Sequence, residues 1–286
     1  MDVELQILKH LARDAHPTVA IVDEYCTEYK DLFKEVRNYE CFKYLHLGIM
    51  SPIKRKSLPE IAKAVSINSA QSLHHFLANS GWSVEELKQR RLNKLKKALD
   101  GNAITVVIDE TGDRKKGKKT DYVARQYLGS VGKVDNGIVS VNAYGLYSYG
   151  LRTWVEYGFR QCKQELGWTD YRFTDFQHIE RWWEIIFCVY TMISLNAPVF
   201  LSLNQSRQFE TEVQENSDVD FSNHPQWNHE SGWKNTLNNL RLIIQPLLLF
   251  WLIYPWLSIF PNSHLLMGFN HLIAAMNQFK PCYASG

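Results

Sequence analysis

The stretch Ile104-Thr105-Val106-Val107-Ile108-Asp109-Glu110-Thr111-Gly112 decides how this chain is read. A short β-branched apolar run bounded by turn residues has the pattern of a buried strand. It breaks off in two carboxylates and a glycine, which predicts Asp109 at the strand's C-terminal tip, where a rigid scaffold holds it still. Taken singly, an aspartate in such a place is more often a turn or cap residue.

A second segment gives that carboxylate a partner. Tyr149, Arg152, Glu156 and Lys163 stand at offsets of 3, 7 and 14. At about 100° per residue these positions fall within roughly 60° of one another, so one helix presents them as one stripe. With about 1.5 Å of rise per residue the stripe is ~21 Å long, a ridge of alternating charge suited to a phosphate track. A charged stripe is usually a solvated face. A carboxylate on the strand and another on the helix point further, to Asp109 and Glu156 meeting over a divalent metal.

The composition bounds the classes. A chain of 286 residues, 45% apolar and 22% charged, has room for one large domain or two ordinary ones and excludes bulk disorder. The net charge of +2 is unevenly spread: Lys54 to Lys133 holds 17 basic against 8 acidic residues, and the remainder 15 against 22. That asymmetry predicts a middle region facing a polyanion, nucleic acid being the common case. Five cysteines without a Cys-x-x-Cys pair suit a reduced, intracellular compartment and no zinc site. Met1-Asp2-Val3-Glu4 lacks the basic start and apolar core of a secretion signal.

Residues 1–100 read as a helical, DNA-binding region. Ser57-Leu58-Pro59-Glu60 has capping-box spacing and opens a helix to about Val65. Ser66-Ile67-Asn68-Ser69 interrupts it, and a second helix runs to about Ala78, exposing Gln71, Ser72, His74 and His75. The pair has the outline of a helix-turn-helix, although two helices and a turn occur in many settings. Ser83-Val84-Glu85-Glu86 then caps a third helix carrying Lys88, Arg90, Arg91, Lys94, Lys96 and Lys97, a basic face suited to phosphates.

Beyond the Asp109 strand, Asp113-Arg114-Lys115-Lys116-Gly117-Lys118-Lys119 reads as a basic hairpin tip. Strands over about Asp121–Ser130 and Gly137–Tyr147 complete a three-stranded antiparallel meander. Helices follow from near Leu151 to Leu166, ending at Gly167, and from about His178 to Leu195. The fold class is therefore α+β. Residues 101–203 form the central unit, 204–232 a polar acidic connector, and 233–286 an apolar helical region. His224 and His229, in the connector, lack a third ligand and read as surface residues. Leu242 to Phe260 has no charged residue and is long enough to flag as a membrane span. Pro246, Pro255 and Gln245 interrupt it, which favours a buried two-part helix and no membrane contact.

The two decisive segments resemble bacterial insertion-sequence transposases of the DDE class, in the group with a Tyr-Arg-Glu-Lys signature. Here the signature is Tyr149-x2-Arg152-x3-Glu156-x6-Lys163. The match extends through Val107-Ile108-Asp109-Glu110-Thr111-Gly112, Lys115-Lys116-Gly117-Lys118-Lys119, Val123-Ala124-Arg125-Gln126-Tyr127 and Gly132-Lys133-Val134-Asp135-Asn136, with Glu165-Leu166-Gly167 after the signature. The resemblance implies a ribonuclease H-like core in which three carboxylates hold two Mg²⁺ (or Mn²⁺) ions that clamp attacking and leaving oxygens. It implies Asp109 as the first carboxylate and Glu156 as the last, both metal ligands. Tyr149, Arg152 and Lys163 would contact DNA phosphates, with Lys115, Lys116, Lys118, Lys119, Arg90, Arg91 and Lys94 as further cations for double-stranded DNA. The implied setting is the terminal inverted repeats of an element, bound by a homodimer in a bacterial cytoplasm, at the nucleoid.

The sequence departs from that pattern in one respect. Only 46 residues separate Asp109 from Glu156, where the family has a further strand with a second Asp and a β-rich insertion. Asp113, Asp121 and Asp135 belong to the part that already matches. The expectation is an internally deleted, truncated core that is catalytically disabled and marginally folded. The leading reading is a transposase by descent acting on the ends of its element; the alternatives are a DNA-binding remnant that occupies those ends without cleavage, and a membrane-associated helical protein.

Overall fold

Residue 176 begins the helix around which the others assemble. The computed structural model describes residues 13–129, 131–146, 153–206 and 223–279. The described helices are α1 (Ala20–Thr27), α2 (Val36–Met50), α3 (Leu58–Ala64), α4 (Gln71–Ala78), α5 (Val84–Leu99), α6 (Thr153–Gln164), α7 (Phe176–Ser206), α8 (Trp233–Ile259) and α9 (Ser263–Met276). The strands are β1 (Thr105–Arg114), β2 (Ala124–Leu128) and β3 (Lys133–Leu146), all between α5 and α6.

Helix α7 buries Ile179, Trp182, Trp183, Ile185, Ile186, Cys188, Val189, Met192 and Ile193, more than one stripe of a helix. A helix apolar on most sides needs neighbours on most sides, and α2, α4, α5, α6 and α8 supply them. The Tyr25 hydroxyl donates to Cys188 O at 2.8 Å, and the Arg181 guanidinium donates to Leu77 O and Trp82 O at 3.2 and 3.0 Å. One apolar core runs from Val19 to Phe279. It thus draws on both sides of the boundaries expected near residues 100 and 203, and the sheet is an appendage to it.

Local signals explain several helix ends. Ser83 Oγ accepts from Glu86 N at 3.2 Å, as its capping position predicts. Ser57 makes no such bond; Pro59 lacks one of the two amides a cap accepts from. Gly167, after α6, has φ +73°, and a Cβ there would fall 2.4 Å from Lys56 Cβ. Both the turn and the close approach require glycine.

The sheet corrects three expectations. Its order is β1-β3-β2, so it is not a meander: β1 pairs antiparallel with β3 from Thr105↔Leu146 to Arg114↔Gly137, and β2 flanks β3. The ten residues of β1 find a full-length partner in β3, which the five of β2 could not provide. Lys115–Lys119 accordingly sit in the β1–β2 connection and not at the tip of a hairpin. Nor is β1 a buried strand ending at Asp109. It runs on to Arg114, and Val106 and Ile108 are 56% and 70% exposed. Helix α6 packs Phe159 on Val107 and covers one face, while the face carrying Val106, Ile108 and Val141 stays open.

The C-terminal region differs too. Trp233–Ile259 is one continuous helix with Pro246 and Pro255 inside it, not a two-part buried one. Burial ends at Leu247. From there Leu249, Leu252, Tyr254, Trp256, Ile259 and Phe260 are exposed, and α9 buries no residue. Phe176–Phe200 and Trp233–Ile259 are both long and apolar enough to cross a membrane; over an apolar 18-residue stretch, 61% of the first and 22% of the second is buried within the protein. In the connector, residues 207–222 lie outside the described residues, but Trp227 is buried against Phe200 at 5.4 Å between ring centroids.

Candidate nucleic-acid interface and its carboxylates

Alternation along β1 puts Asp109, Thr111 and Asp113 on one face and Ile108, Glu110 and Gly112 on the other. The Asp109 face is the one α6 crosses, since Phe159 packs on Val107 and Lys163 Nζ lies 3.1 Å from Asp113 Oδ1. Glu156 lies on α6 and so over the same face as Asp109. Its side chain, like Tyr149 and Arg152 altogether, lies outside the described residues. Asp109 stands exposed opposite Asn142, in the middle of the strand and not at its tip, with Oδ1 accepting from Glu110 N at 2.8 Å.

Of the carboxylates on β1, Asp113 is the buried one, at 4% exposure. Lys163 neutralises it and also donates to Gly112 O at 3.1 Å. The lysine expected on a phosphate track therefore joins α6 to β1. The other two intervening aspartates also have structural partners: Asp121 Oδ2 accepts from Phe176 N at 2.9 Å, at the start of α7, and Asp135 pairs with Arg114 at 2.8 Å. Hydrogen bonding to Asn136 N and the nearby Arg114 and Lys133 charges hold the Asp135 carboxyl below its usual range.

A two-metal clamp needs carboxylates that converge. Asp109 and Asp113 are separated by four residues along an extended strand, roughly 13 Å, and Asp113 is already paired. Among the described residues no three His, Cys, Asp or Glu side chains come together as a metal site. The described donor set does not fit a two-ion centre. Cys26, Cys41, Cys162 and Cys188 are buried.

The basic helix α5, expected as one basic face suited to phosphates, divides between interior and surface. Arg91 Nη2 donates to Glu184 Oε2 at 3.1 Å, with only 12% of its side chain exposed. Burial lifts the Glu184 carboxyl above its usual range, and its Arg91 partner opposes that rise. Lys94, 6% exposed, meets Glu28 at 2.5 Å, and Arg90 makes a two-bond fork to Asp31 at 2.9 and 2.8 Å. The reason is geometric: α5 packs along α7, so one side of any basic stripe must face inward. Lys88, Lys96 and Lys97 stand exposed, as do Lys116, Lys118 and Lys119. Lys115 is half-buried, 3.7 Å from the Tyr171 ring centroid, and burial lowers its ammonium pKa. On α4, Gln71, His74 and His75 are exposed and Ser72 half-buried.

Sequence reasoning missed the Asp113–Lys163 pair and the segment 170–173, which closes over α4. Neither leaves a local signal, because each depends on where distant elements dock.

Residues 31–152 match the DDE superfamily endonucleases. Within that class, the chain is 57% identical over 135 residues to a protein named "Probable transposase for insertion sequence element IS701" from Microchaete diplosiphon. The aligned part is 47% of this chain and 36% of that protein, so the chain spans about a third of the length of the curated relative it matches. No solved structure matches. The resemblance to insertion-sequence DDE transposases thus holds over that part of the chain.

Proposed function

We propose that this chain is a disabled insertion-sequence DDE transposase that holds the ends of its element without cutting them. The observation that carries this is the lack of convergence: Asp109 is exposed in mid-strand, Asp113 is paired to Lys163, and Asp121 and Asp135, the other aspartates between Asp109 and Glu156, each have a structural partner. On this reading the sheet with α6 is what remains of a ribonuclease H-like core. Mg²⁺ or Mn²⁺ would find only Asp109 and Glu156 there, too few ligands for tight binding.

DNA holding falls to α4 with its exposed Gln71, His74 and His75, to Lys88, Lys96 and Lys97, and to the Lys116–Lys119 loop; the resemblance adds Tyr149 and Arg152 of the signature, which lie outside the described residues. Such contacts neutralise phosphates and release counterions, so affinity falls steeply with salt. Pairing of two ends by a homodimer, in a bacterial cytoplasm at the nucleoid, belongs to the same reading. A band-shift on the DNA flanking the gene, run across salt concentrations with a strand-cleavage lane beside it, tests the proposal. Retarded fragments without nicks are expected, and unretarded ones would sink it.

A membrane-associated reading has one observation behind it, the exposed apolar α8–α9 hairpin. The turn at its tip, Pro261-Asn262-Ser263-His264, is polar and would be the deepest part of an inserted hairpin. Burying such groups in lipid is costly.

A further inference from the structure

Among the described residues, β1 is an edge strand of the sheet, with β3 on its one paired side. Opposite residues in an antiparallel pair alternate between bonded and non-bonded, so every second peptide group of an edge strand faces away from the sheet. The odd-numbered residues of β1 turn to β3, as Lys115 N does just past the strand, donating to Asn136 O at 2.9 Å. The even-numbered ones face the open edge, and two of them are already met. Glu110 N donates to Asp109 Oδ1 at 2.8 Å, and Gly112 O accepts from Lys163 Nζ at 3.1 Å. That closes the C-terminal end of the edge and leaves the peptide groups of Val106 and Ile108 facing outward, a window symmetric about Val107. We propose that two copies of this chain join there, β1 antiparallel to β1 with Val107 opposite Val107. The proposal gives an interface to the homodimer of the element-end reading, and rests on that reading only for what the dimer holds.

Pairing, charge and space each favour a second copy. In this register the outward groups of Val106 meet those of Ile108 in the other copy, and the reverse, so the window fills itself. Their exposed side chains become a β-branched cross-strand pair, which stabilises a sheet. Thr105 comes opposite Asp109 and Ile104 opposite Glu110, so no carboxylate faces another. A register centred on Asp109 or on Glu110 sets like charges directly against each other, which is destabilising. One centred on Ile108 calls on the peptide group of Glu110, whose N–H Asp109 already holds. The helices also have room. Helix α6 packs on both β1 and β3 and so stands back from the edge. With paired strands about 4.8 Å apart, the two α6 helices come to roughly 10 Å, an ordinary distance for packed helices.

Sedimentation equilibrium of the full chain without DNA tests this, run from about 1 to 100 µM because so small an interface binds weakly. A monomer–dimer equilibrium is expected. Ile108→Pro removes a peptide N–H that β3 does not use, so the urea midpoint should hold while dimerisation weakens roughly tenfold. Val107→Cys should give a disulfide-linked dimer on mild oxidation beyond any seen in the parent chain. Thr105→Cys should not, because its two copies stand roughly 13 Å apart. A monomer throughout, or crosslinking at 105 and not at 107, would overturn the proposal. So would a dimer that survives Ile108→Pro and is lost in Leu252→Lys with Trp256→Lys, which places the second copy on the α8–α9 hairpin. A band-shift on duplex DNA separates the two readings. Retardation by a monomer removes the interface alone, whereas a dimer that leaves DNA unretarded removes the element-end reading and keeps the interface.

Discussion

Arg91 and Lys96 lie five positions apart on one helix and do opposite work. Removing one partner of a buried ion pair leaves an uncompensated charge, so Arg91→Ala should destabilise the chain by about 3 kcal/mol. Lys96→Ala should stay within about 0.5 kcal/mol in stability and instead lower the salt dependence of DNA affinity by about one ion. Urea midpoints and band-shifts on the two variants check this. The sequence did not separate them, because both are cations on a basic helix and Glu184, the partner that distinguishes Arg91, is 93 residues away. A second test concerns His46. Burial lowers its pKa to about 4, with Nδ1 2.8 Å from Phe42 O and Nε2 unpartnered. In the unfolded chain the ring binds a proton near pH 6.5, so between about 6.5 and 4 the unfolded state holds more protons and stability falls as pH falls. That window is worth roughly 3 kcal/mol. His46→Phe should flatten the decline, as read from urea midpoints at pH 7 and 5.

Elements were legible where a local rule fixed them and illegible where coverage did. The Ser83 cap, the Gly167 stop and the break at Ser66 each act within one turn of chain, and the helices follow them. Strand β1 reads as buried because a β-branched run carries no mark of how many layers cover it. With one helix over a three-stranded sheet, one face remains open. The same holds for α8, whose second half is the more apolar although burial ends with the first, at Leu247. The exposed half with α9 forms an apolar surface of the kind that causes association. Leu252→Lys with Trp256→Lys should cut binding of an apolar-surface dye and raise solubility, with less than about 1 kcal/mol lost in stability. A large loss of stability would mean that the hairpin is packed in solution.

At the scale of the molecule, residues from Val19 to Phe279 share one interior, whereas among the described residues no three His, Cys, Asp or Glu side chains come together as a metal site. Of the candidate site, the sequence made Asp109 legible as a strand residue and Glu156 as a helix residue, but not that Asp109 would stand in mid-strand. That Asp113 is buried and claimed by Lys163 depended on α6 docking on β1, which no spacing encodes. The account stands or falls on strand cleavage. The DNA flanking the gene would be incubated with the full chain and Mg²⁺ or Mn²⁺, then resolved on a denaturing gel beside the Asp109→Ala variant. The account predicts intact strands in every lane on fragments the protein retards. Metal-dependent nicks that vanish with Asp109→Ala would contradict it, and would place a working third ligand in this chain.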